Sequence, residues 1–531
     1  GDLYVVAVPD LAAALTRFPV AAAISVVLCV CINYLTAAIG GYDVGYIAAG
    51  GAAAFLGAGV AHLFAEGRGF PRATNIMLAV AAAAAAALIG YFTRIFQTHY
   101  LYLFAGLLPL LMIAPYLHGG ARQGALWLYN LRLGLAALLA AIVALAFALG
   151  LSAIVEALYF LFGVSMGAMH EHVWGTAMTL IAPIYGLSLM PRNLDEEVDI
   201  ASHKDTLIER GVSVLVNYVL VPVIIVYALI LHAYAVKIVV QQALPDGQIA
   251  TMVSIFAVGG TGAWLIAWPW RETGTRLLRL FMRGWFWLTV VPAALLVAGI
   301  WRRIADYGVT PDRYGIALIA VWIVALTAYL AFRRNRADMR AILGAMAVLL
   351  IIGAVGPMGA KGLTIKSQLA RFAQLMADNG LMKDGKAVAG GKTLSQETTS
   401  RAYSILSALT DADGLDGMRP WFEGVDKSPF ATGHTDWTLY SDIASFFGID
   451  QPQYAENEVN YNAAMAATNT FTGTVRVVGP LQAQPHYPNS PPQQINSASF
   501  DEQTLTIKLD DRTFTLKLDD LVTQAKAQAA R

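Results

Sequence analysis

Along this chain, apolar stretches of about 20 residues alternate with short polar turns, the pattern of helices that cross a bilayer. They lie near 19–39, 42–64, 74–93, 99–117, 131–150, 172–190, 211–236, 249–269, 284–301, 314–332 and 339–357, which predicts eleven transmembrane helices. The segment Leu151 to Val164 is also apolar, but it is short and carries Glu156, so it is expected to be interfacial or re-entrant. After Gly356-Pro357 the pattern changes. Lys366 to Asn379 places Leu369, Phe372, Leu375 and Met376 at helical spacing, Ser395 to Thr410 does the same with Tyr403, Leu406 and Leu409, and Trp437 to Phe447 reads as a third helix. Thr472 to Val478 alternates as a strand does, and Pro480 to Gln494 reads as a proline-rich loop. The period-2 runs Gln503–Leu509 and Thr513–Leu518, joined by Asp510-Asp511-Arg512, predict a hairpin, with a closing helix from Asp520. The expected architecture is an α-helical polytopic membrane bundle over 1–357 with a small α+β extramembrane domain over 358–531.

Charge then orients the bundle. Arg271, Arg276, Arg279 and Arg283 precede one span; Arg333, Arg334, Arg336 and Arg340 follow the next. With the N-terminus inside, these eight join Arg17, Arg68, Arg72, Arg122, Arg132, Arg192, Lys204 and Arg210 on the cytoplasmic side, sixteen in all. The other side holds five: Arg94, Lys237, Arg302, Arg303 and Arg313. Basic residues gather on the cytoplasmic side of membranes, so an odd number of crossings sends the C-terminal part outside, into the periplasm of a Gram-negative cell.

Composition agrees. Of 531 residues, 57% are apolar and 14% charged, and the formal net charge is zero, so no global field argues for nucleic acid. Cys29 and Cys31 sit two apart on one predicted helix and turn to different faces, which favours neither a disulfide nor a metal pair. The unbroken run Ala81–Ala87 and the glycines at 45, 50, 51, 57 and 59 predict close helix approach. The chain opens on Gly1, not Met, which leaves its true N-terminus open.

Four constellations have the residue types for chemistry. His170 and His172 flank Glu171 and are weak metal candidates, since His-x-His shares a face only in a strand. Asp411-Ala412-Asp413-Gly414-Leu415-Asp416-Gly417 resembles the start of a calcium loop, but Asp416 and Phe422 stand where the template wants glycine and glutamate, so a helix cap and turn is expected. The loop Pro191 to Ile200 holds four carboxylates (Asp195, Glu196, Glu197, Asp199) without a glycine-rich phosphate cradle, and reads as a solvated acidic loop or partner contact. The outer turn Arg302 to Tyr314 is the strongest: Arg302, Arg303 and Arg313, with Tyr307 and Tyr314, suit either interfacial anchoring or recognition of an anionic group on lipid or partner. In the tail, Trp421, Phe422, Trp437 and Tyr440 read mainly as core. No Walker loop, serine–histidine triad signature or CxxC is present, and the spans are nearly free of ionisable residues apart from His232, with Asp43, His99 and Lys237 near ends. No cofactor or catalytic residue is expected.

The string Arg303-Ile304, then Tyr307-Gly308-Val309-Thr310-Pro311-Asp312-Arg313-Tyr314, resembles the motif of a bacterial multi-pass membrane family, domain of unknown function 4153. Gly356-Pro357, then Ile365-Lys366-Ser367-Gln368-Leu369-Ala370-Arg371, is similar to it as well. The resemblance implies a bacterial inner-membrane location and brings no activity, substrate or site residue. Three functions stay open. The first is a structural or regulatory membrane protein whose periplasmic domain engages an envelope or membrane-complex protein. The second is a transporter or lipid-handling protein, and the third is an envelope enzyme acting on an anionic substrate. Membrane lipids are expected partners under all three.

Overall fold

The computed structural model describes residues 10–39, 44–92, 97–118, 122–163, 167–196, 207–241, 248–333, 337–390, 394–426, 428–430, 436–449, 483–485, 496–500, 504–509 and 512–517. The expected strand at Thr472–Val478 and closing helix from Asp520 lie outside them. So do Arg94, Lys204, Arg334, Arg336, Glu197, Asp199 and most of the loop 480–494.

The bundle is built from α1 (Leu11–Arg17), α2 (Pro19–Ile39), α3 (Val44–Gly67), α4 (Arg72–Phe92), α5 (Gln97–Ile113) and α6 (Gln123–Phe162). It continues with α7 (Met169–Thr176), α8 (Ala182–Ser188), α9 (Leu207–Leu215), α10 (Val221–Gln241), α11 (Gln248–Ala267), α12 (Arg276–Tyr307), α13 (Pro311–Arg333) and α14 (Met339–Ala354). Among the described residues eight helices are long and apolar enough to cross a membrane, not eleven. Of the other three expected spans, α5 has 17 residues with Pro109 inside it and α14 has 16. The third, 172–190, runs without a break through α7, the π turn Ala177–Ile181 and α8, but its start carries the polar run His170-Glu171-His172. A second π turn, Val216–Leu220, joins α9 to α10 within a single apolar stretch.

The segment from Leu151 corrects another expectation. It has no glycine or proline before Gly163, so it continues α6 to 40 residues, about 60 Å at the usual helical rise. Gly163 ends the helix in the left-handed region, its N–H donating to Tyr159 O.

Side chains at one end of the bundle tie many helix termini together. Arg17 pairs with Glu66 at 3.0 Å and donates to Pro191 O. Trp127 Nε1 donates to Ile266 O, and Tyr116 Oη to Leu194 O. Arg340 donates to Tyr116 O and His118 O while pairing with Asp338 at 2.7 Å, and Asp338 also accepts from Gln123. Burial pushes the Asp338 carboxyl up, but the hydrogen bonds from Arg340 and Gln123 outweigh it and hold the group below the usual aspartate range. Many of the arginines read as topology signals are therefore also clamps on helix ends.

Small residues set the close crossings. Trp285, 1% exposed, fills the space a side chain at Gly260 would need, and Gly67 lies directly against Pro115 O. Alanines at 53, 54, 58, 79, 83 and 86 are buried in the same core, as close packing in lipid requires.

Beyond Gly356 come α15 (Ala360–Asp378), α16 (Gln396–Asp411) and α17 (Asp436–Phe447), with the antiparallel pair β1 (Met382–Lys383) and β2 (Lys386–Ala387). Their apolar faces meet in a second core around Phe372, Met376, Leu406, Leu409, Phe422, Ile443 and Phe447. The first compact unit runs to Pro452 and so contains these helices. The second, 453–531, holds a four-stranded sheet: β3 (Ala483–Pro485), β4 (Asn496–Phe500), β5 (Thr504–Leu509) and β6 (Arg512–Lys517). The expected hairpin is β5–β6, with Ile507 opposite Phe514. The helices and the strands of the expected α+β tail thus fall in different compact units.

Candidate functional site: the joint between the outer turn and α15

Helix α12 reaches Tyr307 and stops at Gly308, whose φ of +72° only glycine adopts without strain. A helix end leaves its last carbonyls without intrahelical partners. Here each one is taken. Ile304 O accepts the Gly308 N–H. Ala305 O and Asp306 O accept from Arg371, the latter at 2.6 Å. Tyr307 O accepts from Arg313 at 3.1 Å and from Gln368 at 3.3 Å. Arg313 also donates to Gly308 O, and its guanidinium lies 5.3 Å over the Tyr307 ring. Two guanidiniums therefore face the negative end of the helix dipole, where cations are favoured.

Helix α15 supplies the other half. Ser367 Oγ accepts the Val309 N–H at 2.9 Å, and Gln368 Nε2 donates to Val309 O at 2.8 Å. This is a two-point grip on one residue of the turn. A Cβ on Gly308 would lie 2.5 Å from Arg371 Cδ and 2.9 Å from Ser367 Oγ. Burial lowers the affinity of Arg371 for its proton, as does the nearby positive Arg401, while Asp306 acts the other way. The two motif strings, some fifty residues apart in sequence, are thus the two faces of one contact.

The sequence-selected residues divide. Tyr314 is 7% exposed, donates to Met358 O at 2.9 Å and meets Tyr102 edge-on at 5.9 Å. It is a core residue and not an interfacial anchor. Arg313 is a helix cap. Arg302 and Tyr307 are exposed, Arg302 reaching Asp306 only at 3.8 Å, and Arg303 is half-buried without an ion pair among the described residues. Gly308, Ser367, Gln368 and Arg371 were not selected. A signal existed: Thr364, Gln368 and Phe372 share one helix face, and two of the three are polar on a stripe that turns out buried.

The other constellations are occupied internally. His172 Nδ1 lies 2.9 Å from Asn33 Oδ1, while His170 faces Glu156 at 3.4 Å, so the two imidazoles diverge. No group of three potential metal ligands occurs among the described residues. Asp413 pairs with Lys361 and Asp416 with Arg419, which makes the calcium-like string a helix end and turn. Glu196 takes both arms of Arg132 at 2.6 and 2.8 Å, and this hydrogen bonding holds its carboxyl below the usual glutamate range. Trp421 stacks on Phe372, and Phe422 packs against Phe446 and Phe447, as core. The side chain of Trp437 lies outside the described residues.

The family profile described as "Domain of unknown function (DUF4153)" matches residues 15–383, a span that includes both halves of the joint. The chain belongs to this family of multi-pass membrane proteins of unknown function. It is similar to "Uncharacterized protein PM1469" of Pasteurella multocida (strain Pm70), 26% identical over 181 residues. That match covers 33% of this chain and 30% of the relative. No solved structure matches it.

Proposed function

We propose that this protein is a membrane-anchored regulatory or scaffolding component of the bacterial envelope. Its α15–α17 module is locked to the spans at the joint, and its exposed turn engages an anionic group on a partner protein. The observation that carries this reading is the division of labour in the turn. Arg313 is consumed in capping α12 and Val309 in docking α15, while Arg302, Arg303 and Tyr307 keep a basic, aromatic face beside them. Arginine and tyrosine are the residues that most often anchor interfaces.

In this reading the chain crosses the bacterial inner membrane eleven times, α5, the α7–α8 stretch and α14 included. The arginine-rich end is cytoplasmic and the joint periplasmic. The clamps support it: the C-termini of α3, α5, α8 and α11 gather with the N-termini of α6 and α14 at one end.

A photo-reactive residue at Tyr307 in living cells tests the proposal. It is expected to capture one protein reproducibly, and Arg302→Ala/Arg303→Ala to abolish the capture without loss of membrane insertion. Capture of lipid alone, or an unaffected double variant, would overturn the protein-partner role.

A second reading, lipid handling, has one observation of its own. A cleft of about 530 Å³ opens between α2, α3 and α4, lined by Val20, Ile24, Val27, Ile47, Ile76 and Val80. Its apolar walls suit an acyl chain and offer nothing to a polar solute.

A further inference from the structure

At the opposite end from the joint, the last turn of α11, the 3₁₀ turn Trp268–Trp270 and the second turn of α12 enclose a cavity of about 40 Å³. Trp264, Trp268, Arg271, Glu272, Met282 and Arg283 line it, with Ala337, just before α14, completing the wall. The Arg271 guanidinium lies 3.9 Å over the Trp268 ring and donates to Trp268 O at 3.1 Å, so its position is fixed. Trp264 Nε1 is spent on Met282 O. Glu272 reaches Arg271 only at 3.7 Å and is largely exposed. Arg283 is exposed and has no hydrogen bond or ion pair among the described residues.

We infer that this cavity binds the phosphate of an anionic phospholipid, between Arg271 and Arg283. The walls hold two permanent cations against one carboxylate, and one cation is already immobilised by stacking, so little side-chain entropy remains to be lost. The volume is close to that of one water molecule, which fits an inserted phosphate oxygen with the rest of the headgroup at the mouth. Trp264 and Trp268 close an apolar span, the level at which indoles meet headgroups. A headgroup there can leave its acyl chains along α11 and α12, whereas a free anion would gain only the charge contacts. Arginine pockets between span ends are suited to anionic lipids for this reason.

The test uses the purified full-length protein in neutral detergent, titrated separately with phosphatidylglycerol, phosphatidylcholine and inorganic phosphate. Lipid adducts are counted by native mass spectrometry. Phosphatidylglycerol is expected to bind and the other two are not. Arg271→Gln/Arg283→Gln is expected to weaken the lipid by roughly tenfold, from the loss of two near-surface charges partly screened by salt. Arg276→Gln/Arg333→Gln, basic residues of the same end outside the cavity, should leave it unchanged. Glu272→Gln removes the competing carboxylate and is expected to tighten binding, a readout that survives even if the double arginine variant fails to fold. Equal weakening by both arginine pairs, equal binding of phosphatidylcholine, or no tightening in Glu272→Gln would overturn the site. Inorganic phosphate binding as tightly as the lipid would reassign it to a free anion.

Discussion

Gly308 and Arg371 approach so closely that a single methyl group on the glycine would strike the arginine's Cδ at 2.5 Å. One residue ends a 32-residue helix and the other lies in α15. Their contact explains why two separated polar strings in a membrane protein matter to each other. The turn gives up its unpaired carbonyls, and α15 brings the donors.

Replacing Gly308 with alanine forces both a left-handed φ on a residue with a Cβ and a displacement of Arg371. The expected cost is about 1–3 kcal/mol, read as a lowered thermal midpoint in detergent. Amide exchange in α15 should rise more than in α3, because the damage is local to the joint.

Gln368→Leu keeps the side-chain volume but leaves Val309 O without its donor. A loss of about 1–2 kcal/mol is expected, with faster proteolysis between Gly356 and Lys361. Gln368→Glu should do comparable harm, since a carboxylate cannot donate to a carbonyl and would sit beside it as a like partial charge.

Tyr314→Phe removes only the hydroxyl that donates to Met358 O and is expected to cost about 1 kcal/mol. Gly315→Val should be worse. A Cβ there would stand 2.6 Å from Tyr102 Oη, which donates to Pro311 O, so the substitution both overpacks the crossing and displaces that bond. Thermal midpoints of the two variants, ranked, check the order.

The Glu196–Arg132 pair predicts a pH dependence. The folded-state pKa of Glu196 is lowered by the arginine's hydrogen bonds, so the pair's stabilisation is present above the unfolded glutamate pKa of about 4.3 and fades as pH falls through the lower folded value. Wild type is therefore expected to exceed Glu196→Gln in thermal midpoint at pH 7, with the gap closing below about pH 4. A gap that stays constant down to pH 3 would show that the two charges are not coupled. The effect is small, because Glu196 is 44% exposed and solvent screens the pair.

The apolar periodicity was sufficient to locate the long helices, since α2, α3, α4, α11 and α13 coincide with the expected spans to within a few residues. It was poor at interruptions. The π turns at 177–181 and 216–220 carry no glycine or proline, so composition is silent about them, although both lie inside expected spans. The reach of α6 beyond residue 150 was misjudged because Glu156 suggested a membrane edge, whereas it pairs with His170 on the flank of a continuing helix. At the site, the turn and its arginines were visible as a charged interruption. The partners of that turn were not visible, since nothing in a one-dimensional pattern says that Ser367, Gln368 and Arg371 face it. The burial of Tyr314 was hidden for the same reason: its neighbour Tyr102 is two hundred residues away.

The joint can be tested by its register. With Cys29 and Cys31 replaced by serine, Val309→Cys/Ser367→Cys should oxidise to a disulfide in native membranes, because the Val309 N–H sits 2.9 Å from Ser367 Oγ. Peptide mass spectrometry would record the bridge. Val309→Cys/Lys366→Cys, one residue away on an exposed position, should stay reduced. Bridging of the first pair alone is the expected result; equal bridging of both pairs, or of neither, would contradict a joint built from these residues.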